Sequence, residues 1–253
     1  MSSQGRVTRD ISKHTNTKFT SQIFNNHKIS DEIRSFICRG RLQLLQCNSL
    51  LHTYYSTEKH CRVCNHPHDT VSHILNGCTR FYLHYQKRHN RIVDIIYEKI
   101  KSANKYCKIF KDSIIKPSMF CTENVFNAQN DNSFLTEGTR PDIVTIDDEA
   151  KKVIITEISV PFDTFMGECF QGKFDKYFPL ALEINALGYH TEIIVLVIGS
   201  LGHVHSKFVS GLRKNNINSS QSTYLAKFCS VSAMMGSFFV WKNRCKVSPR
   251  TYH

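Results

Sequence analysis

Apolar positions in the first third of the chain recur at helical spacing. Ile33, Phe36 and Ile37 fall at positions i, i+3 and i+4 of one helix face. Ser30 belongs to a residue type that caps helix N-termini, and an acidic residue follows it in the first turn, where the helix dipole favours negative charge. These features predict a helix that begins near residue 31. A second helix is predicted over residues 81–105, where four isoleucines share a face: Ile92, Ile95, Ile96 and Ile100.

The middle of the chain shows the patterns of β-strands. Segments 140–147 and 152–160 lie on either side of a polar turn, which predicts a hairpin in which Val144, Ile146, Val153 and Ile155 share one face. Residues 116–126 predict an edge strand. The nearly continuous apolar run from Glu192 to Ile198 predicts a buried strand.

Helical patterns surround these strands. Residues 165–187 predict a helix that is kinked at Pro179 and ends at Gly188, since glycine is the usual residue just after a helix. Residues 203–214 and 223–242 predict two further helices. Strands interleaved with helices predict an α/β (α+β) fold with a mixed sheet flanked by helices.

Length and composition fit a folded chain. Its 253 residues suit one large domain or two small ones, and 41% are hydrophobic while 21% are charged. The polar residues 1–25 predict a flexible basic arm. The longest apolar run is far shorter than the roughly 18 residues that a membrane helix needs, so we expect an intracellular protein with no membrane partner.

Charge is unevenly distributed along the chain. The formal net charge is +12, yet 13 of the 21 acidic residues lie within residues 113–200. Residues 201–253 carry eight basic residues and no acidic residue. Basic flanks of this kind favour a polyanionic partner such as nucleic acid, and an acidic centre suits a metal-binding catalytic core.

One cluster among the ten cysteines has the spacing of a metal site. Cys61-x2-Cys64-x8-His73-x4-Cys78 combines a close cysteine pair with a distant His/Cys pair, which tetrahedral structural zinc requires. One of three neighbouring histidines could replace His73: His60, His66 or His68. Basic residues that could contact phosphates flank the cluster: Arg62, Arg80, Lys87, Arg88 and Arg91.

Two carboxylates are predicted to face each other across the hairpin. A turn centred between Glu149 and Ala150 makes Asp142 and Glu157 directly opposed. Opposed side chains have Cβ atoms about 4.5–5.5 Å apart, close enough to share a hard divalent cation. The alternative is that Glu157 is an edge residue paired with a surface lysine. A one-residue slip in register would send it to the other face.

A lysine interrupts the apolar stripe of the next predicted helix. The stripe contains Lys173 among mostly apolar residues, so Lys173 is predicted to point inward, toward the carboxylates. Lys176, about one turn further along the helix, is the alternative candidate for the lysine that meets the carboxylates. Both side chains could instead extend to solvent.

The order of these motifs resembles the C-terminal region of site-specific non-LTR retrotransposon polyproteins, which insert into ribosomal RNA genes. The resemblance covers roughly residues 30–200. It rests on the zinc-knuckle spacing with its Ser72–Leu75 run, on Arg140-Pro141-Asp142, on Glu157 and on Lys173-x2-Lys176-Tyr177. It implies a PD-(D/E)xK restriction-endonuclease-like core over residues 81–200. A helical CCHC zinc-knuckle region, 26–80, would precede this core, and a basic helical extension, 201–253, would follow it.

The resemblance also implies roles and partners. Asp142 and Glu157 would hold catalytic Mg²⁺ or Mn²⁺, Lys173 and Lys176 would be the helix lysines of the nuclease, and Asp163 would be a further acidic position. The implied activity is nicking of target DNA in the nucleus for target-primed reverse transcription. Element RNA and a fused reverse transcriptase would be its partners.

Two features depart from this pattern. Ser159 stands where the broad nuclease pattern has lysine, and the sequence contains no Tyr/Phe-x-Asp-Asp polymerase motif. The alternative interpretation is therefore a non-catalytic nucleic-acid-binding remnant of such a protein.

Overall fold

The computed structural model describes residues 14–15, 29–121 and 139–244. The predicted arm of residues 1–25 lies outside the described residues, apart from His14 and Thr15. Residues 122–126 of the predicted edge strand lie outside them as well.

Helices dominate the first part of the chain. Helix α1 (Asp31–Arg41) begins as predicted, because the Ser30 hydroxyl accepts a hydrogen bond from the Ile33 amide at 3.4 Å. Helix α2 (Asn48–Tyr55) is short and was not predicted. Helix α3 (Tyr82–Ala103) matches the predicted helix, and Ile92, Ile96 and Ile100 on its predicted face are fully buried.

Four strands form one mixed sheet in the order β1-β2-β3-β4. The first three are antiparallel neighbours, whereas β4 pairs with β3 in parallel. The strands are β1 (Lys108–Lys111), β2 (Ile143–Asp147), β3 (Lys152–Ser159) and β4 (His190–Val197). The fold is therefore a mixed α/β fold, as predicted at that level.

The hairpin register is the predicted one, but the edge strand is not. Ile143 pairs with Thr156 and Val144 with Ile155, so extension by one position places Asp142 opposite Glu157. The prediction of an edge strand at residues 116–126 was wrong for its described part, because Pro117–Met119 form a 3₁₀ turn. Proline has no N–H for a ladder hydrogen bond, and β1 forms the edge instead.

Helix α4 (Met166–Ala186) connects the parallel strands β3 and β4 and covers one face of the sheet. It continues through Pro179, and Gly188 follows with a φ of 86°, the left-handed conformation in which glycine is favoured. The core between α4 and the sheet contains Val144, Ile146, Val153, Ile155, Tyr177, Leu180 and Ile184.

Helices α3, α5 (Phe208–Lys214) and α6 (Ser219–Asn243) pack on the opposite side. Helix α5 is shorter than the predicted helix of residues 203–214. Length and composition alone would let α6 cross a membrane, yet 56% of its most apolar window is buried inside the protein. Leu225, Ala226 and Cys229 of α6 belong to the larger core, as expected of an interior helix.

Candidate metal cluster and acidic cleft

The four predicted metal ligands come together in space. The donor atoms of Cys61, Cys64, His73 and Cys78 all lie within 4.8 Å of one another. Cys64 Sγ is 3.3 Å from His73 Nε2, and Cys61, His73 and Cys78 are buried. Three sulfurs and one imidazole nitrogen around one point match the donor set of a closed structural zinc site. The cluster could therefore hold a metal such as zinc.

Local backbone geometry explains why the cysteine pair converges. Asn65 adopts a left-handed conformation with φ of 60°, which asparagine tolerates better than most residues. Its amide donates to Cys61 O at 2.7 Å, and the Cys61 amide donates to His66 O at 2.8 Å. This tight turn presents both thiols on one side.

The second ligand pair is set by a single π-helical turn, His73–Gly77. The Cys78 amide donates to His73 O at 2.8 Å, which closes the turn and brings the two ligands together. π-Helical turns are rare and frequently mark functional sites.

The three alternative histidines are not part of the cluster. His60, His66 and His68 are exposed. The His66 ring stacks on the His73 ring with centroids 4.3 Å apart, and His66 Nδ1 is engaged with His68 O at 3.0 Å. His66 therefore shields the ligand histidine.

The pKa values of two cluster thiols are shifted in opposite directions, and only that of Cys61 moves toward the metal-binding form. A hydrogen bond from the Cys78 thiol, opposed by burial and assisted by His73, lowers the pKa of the Cys61 thiol far below its ordinary value. The same contact with Cys61 raises the pKa of Cys78. Thiolate is the form that binds metal.

The acidic pair lies at the end of the hairpin. Glu157 Oε2 accepts a hydrogen bond from the Asp142 amide at 3.3 Å, and Asp142 Oδ2 accepts one from the Ile158 amide at 2.7 Å. The Glu157 side chain is 5% exposed, and that of Asp142 is 15% exposed. Each carboxylate is thus bonded to the backbone of the opposite strand.

The two carboxylates were expected to lie on one face of the sheet. Glu157 lies on that face, whereas the Asp142 carboxylate lies at the end of the sheet. Glu157 lies on the face covered by α4, where it contacts Lys173. Asp142 stands one residue before β2, and its carboxylate meets the end of β3 and His89 of α3. Even so, the Lys173 ammonium lies within electrostatic reach of both carboxylates.

The two helix lysines have different surroundings. Lys173 Nζ donates to Glu157 Oε1 at 2.5 Å. Burial lowers the pKa of Lys173, but the charges of Glu157 and Asp142 outweigh it and raise the pKa. Lys176 is exposed and lies 3.3 Å from the Tyr177 hydroxyl. The structure therefore joins Lys173, and not Lys176, to the acidic pair.

His89 is a site residue that sequence reasoning missed. Its Nε2 lies 3.1 Å from Ile158 O and 3.4 Å from Asp142 Oδ2. Burial lowers the pKa of His89, but the hydrogen bond and charge of Asp142 together raise it to about 9. The sequence places His89 three and four residues before the buried Ile92 and Val93, at the edge of the apolar face of α3, but this pattern does not show that it meets Asp142.

These residues line an open cleft of about 790 Å³ between α3 and the end of the sheet. Asp142, Lys173 and His89 form one part of it. Two exposed cations complete the wall, each paired with an aspartate: Lys111 lies 2.8 Å from Asp94, and Arg140 lies 2.8 Å from Asp112.

Asp163 has other partners. It is fully buried, and its carboxylate accepts hydrogen bonds from the Leu201 amide at 2.7 Å and from the His203 amide at 3.2 Å. His203 Nδ1 lies 2.6 Å from the same carboxylate. Asp163 therefore holds the loop of residues 200–203 that follows β4.

The basic residues that were predicted to contact phosphates differ in their exposure to solvent. Arg62, Arg80, Lys87 and Arg91 are exposed and remain candidates. The assignment of Arg88 was wrong, because Arg88 is only 4% exposed and its guanidinium bonds to protein groups. Helix α3 turns this residue toward α6 and away from solvent.

Comparison with known proteins adds no relative. No protein-family model matches the chain, and no curated protein matches it.

Proposed function

We propose that the chain is a metal-dependent DNA endonuclease with a restriction-endonuclease-like core, the nicking portion of a non-LTR retrotransposon protein. The observation that carries the proposal is the contact of Lys173 with the buried Glu157, beside an open cleft that Lys173 and Asp142 line. Two carboxylates, a backbone-bonded strand end and an inward lysine are the parts that such a nuclease needs.

Asp142 and Glu157 are the residues that would hold Mg²⁺ or Mn²⁺, which would lower the pKa of a water molecule and stabilise charge on the phosphate. Carboxylate oxygens are the ligands these cations prefer. Among the described residues no hydrogen bond occupies Asp142 Oδ1, so this oxygen is available for a ligand.

Lys173 supplies a fixed positive charge. Its raised pKa keeps the ammonium protonated at neutral pH. Next to a bound phosphate it would stabilise negative charge that develops in the transition state, in a site already ordered before reaction. Its side chain is 34% exposed, so it can reach both Glu157 and a ligand in the cleft.

The rest of the chain would bind nucleic acid. Exposed cations on α3 and around the Cys/His cluster provide a surface for phosphates, and the cluster with zinc would act as a knuckle. On this proposal, the partners are target DNA, element RNA and a reverse transcriptase fused in the full-length protein, and the protein acts in the nucleus.

Nicking of supercoiled plasmid DNA tests the proposal. With Mg²⁺ or Mn²⁺, the wild type should convert supercoiled to open-circular plasmid. Asp142→Asn and Glu157→Gln should each reduce the rate by at least about 10³-fold, because an isosteric amide lacks the negative charge that holds the cation and stabilises its bound water. Asp175→Asn, which changes an exposed carboxylate on the same helix as Lys173, is the matched control and should nick normally.

Two outcomes would contradict the endonuclease. One is a wild-type protein that binds plasmid but never nicks it with either cation. The other is undiminished nicking by Asp142→Asn and Glu157→Gln, which would assign the activity elsewhere.

A second candidate is a non-catalytic nucleic-acid-binding module. The observation that favours it is that Lys173 already neutralises Glu157 at 2.5 Å, so the carboxylate is satisfied without a divalent cation. Ser159 in place of the pattern's lysine points the same way. This candidate expects salt-sensitive binding that is insensitive to Mg²⁺ and is unaccompanied by nicking.

A further inference from the structure

Arg88 is a buried cation whose hydrogen bonds join three separate elements. Its Nη1 donates to Leu75 O at 3.1 Å and to Ser237 Oγ at 2.7 Å, and its Nη2 donates to Val160 O at 3.3 Å. Leu75 belongs to the π-helical turn of the metal cluster, Ser237 to α6, and Val160 follows the last residue of β3.

No acidic side chain is bonded to this guanidinium among the described residues. Burial lowers the pKa of Arg88 to about 10, and Arg88 Nε has no hydrogen-bond partner. Burial of a cation is costly unless its hydrogen bonds are satisfied. The neutral acceptors on the three elements therefore determine where Arg88 lies, and Arg88 in turn fixes their spacing.

Helix α6 has a glycine, Gly236, at the position where the Arg88 side chain packs against it. A Cβ atom at Gly236 would lie 2.7 Å from Arg88 Cγ, too close for any side chain without a shift. Glycine at this position brings the α6 backbone against the arginine stem.

A second hydrogen bond joins the segment between the metal ligands to the carbonyl of Val160. Asn76 Nδ2 donates to Val160 O at 2.8 Å. Asn76 and Leu75 both lie between the ligands His73 and Cys78. The segment that a bound metal would hold is therefore bonded to the end of β3 twice, once directly and once through Arg88.

The end of β3 in turn carries the acidic pair. Two residues before Val160, the Ile158 amide donates to Asp142 Oδ2 at 2.7 Å, and Ile158 O meets His89, the residue after Arg88. Glu157 precedes Ile158. A shift of this strand end would move the carboxylates relative to each other.

We propose that Arg88 is a positioning residue that links the Cys/His cluster to the end of β3, so that metal occupancy of the cluster sets the alignment of Asp142 and Glu157. The consequence for catalysis rests on the proposed nuclease function. The link itself does not, because it can be measured without nicking.

Hydrogen exchange of the full chain, zinc-loaded and after chelation, tests the link. In the wild type, chelation should accelerate exchange in peptides covering residues 157–161 by roughly tenfold and leave the β2–β3 turn, 147–152, unchanged. Arg88→Met should show the fast exchange at 157–161 even with zinc bound, and chelation should add nothing. Arg91→Met, an exposed arginine on the same helix, should behave like the wild type.

Either of two results would overturn the proposal. Arg88→Met could exchange at the wild-type rate with zinc bound, or chelation could accelerate residues 157–161 equally in both proteins. If Arg88→Met shows no cooperative thermal unfolding, Arg88→Lys takes its place, since it keeps the charge and the apolar stem but lacks the forked guanidinium that bonds both Leu75 O and Val160 O. It should accelerate the same peptides roughly threefold with zinc bound, and an unchanged rate would overturn the link.

Metal dependence separates positioning from general destabilisation. In nicking assays, the Mn²⁺ concentration for half-maximal rate should rise roughly tenfold in Arg88→Met, while the Kd for plasmid DNA and the rate at saturating Mn²⁺ stay close to wild type. A fall in saturated rate with unchanged Mn²⁺ dependence would contradict positioning. A wild type that does not nick would refute the nuclease function and leave the exchange experiment to decide the link.

Discussion

Lys173 Nζ and Glu157 Oε1 lie 2.5 Å apart, although 16 residues separate them in sequence. The ammonium belongs to the helix that covers the sheet, and the carboxylate belongs to the strand beneath it. The Glu157 side chain is 5% exposed, so the lysine is its compensating charge. The Tyr177 hydroxyl and the Asp142 carboxylate lie within electrostatic reach of this pair, and His89 contacts Asp142 from helix α3.

Replacement of Lys173 should matter more than replacement of Lys176. Lys173→Met should lower the rate of plasmid nicking by about 10²–10³-fold, because it removes a preorganised charge and leaves the buried Glu157 without a compensating charge. Lys176→Met should stay within about threefold of wild type, since Lys176 contacts only Tyr177 among the described residues. Single-turnover rates at saturating protein measure both. Equal losses in the two variants would contradict the assignment of Lys173.

Zinc should bind with a stoichiometry of one per chain. Elemental analysis of the purified protein should give about one zinc, and the double variant Cys61→Ser with Cys64→Ser should give almost none. His73→Ala should also lose zinc, whereas His66→Ala should keep it. Cys38→Ser with Cys121→Ser alters two exposed cysteines outside the cluster and serves as control. Zinc retained after loss of Cys61 and Cys64 would rule out this ligand set.

Chelation of zinc should also lower thermal stability. The four ligands bring the two ends of the segment from Cys61 to Cys78 together, and metal binding to such sites contributes directly to folding. A chelator should lower Tm by at least about 5 °C in the wild type and by much less in the double cysteine variant. Differential scanning calorimetry measures the shift, and an unchanged wild-type Tm would contradict a structural metal.

His89 should make stability depend on pH. Its pKa in the folded protein is raised to about 9, above the ordinary value of 6.5. The stabilisation from its contact with Asp142 is therefore fully present below about pH 6.5 and is lost as pH rises through about 9. After allowance for solvent screening, the wild type should exceed His89→Gln by about 1–2 kcal/mol in unfolding free energy near pH 6.

Denaturant titrations without divalent cations, from about pH 6 to pH 10, measure this difference. The two proteins should converge toward the alkaline end of the range, because His89 is then neutral in both the folded and unfolded states. A difference that grows with pH would have the opposite sign and would contradict the charged contact.

DNA binding should weaken steeply with salt. If about 5 phosphates are neutralised, the logarithm of the binding constant should fall with the logarithm of salt concentration at a slope of roughly −4.5. Lys87→Gln and Arg91→Gln, both exposed on α3, should each make the slope shallower by about 0.9 if they contact phosphate. Lys227→Gln, on another helix, is the comparison variant. A wild-type slope near zero would exclude a phosphate-binding surface.

Much of the architecture could be predicted from short-range patterns in the sequence. The Ser30 cap, the helical face of Ile92, Ile96 and Ile100, and the left-handed Gly188 follow from preferences of adjacent residues, so they could be predicted one segment at a time. The hairpin register could be predicted because a short turn fixes which residues oppose each other. The described part of the predicted 116–126 strand is instead a 3₁₀ turn that begins at Pro117, because proline has no N–H for a ladder hydrogen bond.

The candidate site residues also fall into two groups, those that a local pattern predicts and those that only packing decides. Sequence spacing was enough to nominate Cys61, Cys64, His73 and Cys78, because all four fall within one short segment whose turns bring them together. It also nominated Asp142, Glu157 and Lys173. The spacing left open which histidine joins the cluster and which lysine meets the carboxylates. A side chain on a loop or helix becomes buried or exposed only when a neighbouring element packs against it.

By itself, then, the sequence determined most of the helices and strands, the hairpin pairing, the three cysteines of the cluster and the inward stripe of α4, all of which depend on residues near one another in the chain. The helical spacing of Arg88 from Ile92, Ile96 and Ile100 already puts it on the buried face of α3. Only the tertiary structure decided that Arg88 bonds to Leu75, Ser237 and Val160, that His89 meets Asp142, and that Asp163 holds a loop instead of joining the acidic pair. Each of these depends on which helix packs against which end of the sheet. That packing is set by the whole core, so no local pattern around residue 88, 89 or 163 can reveal it.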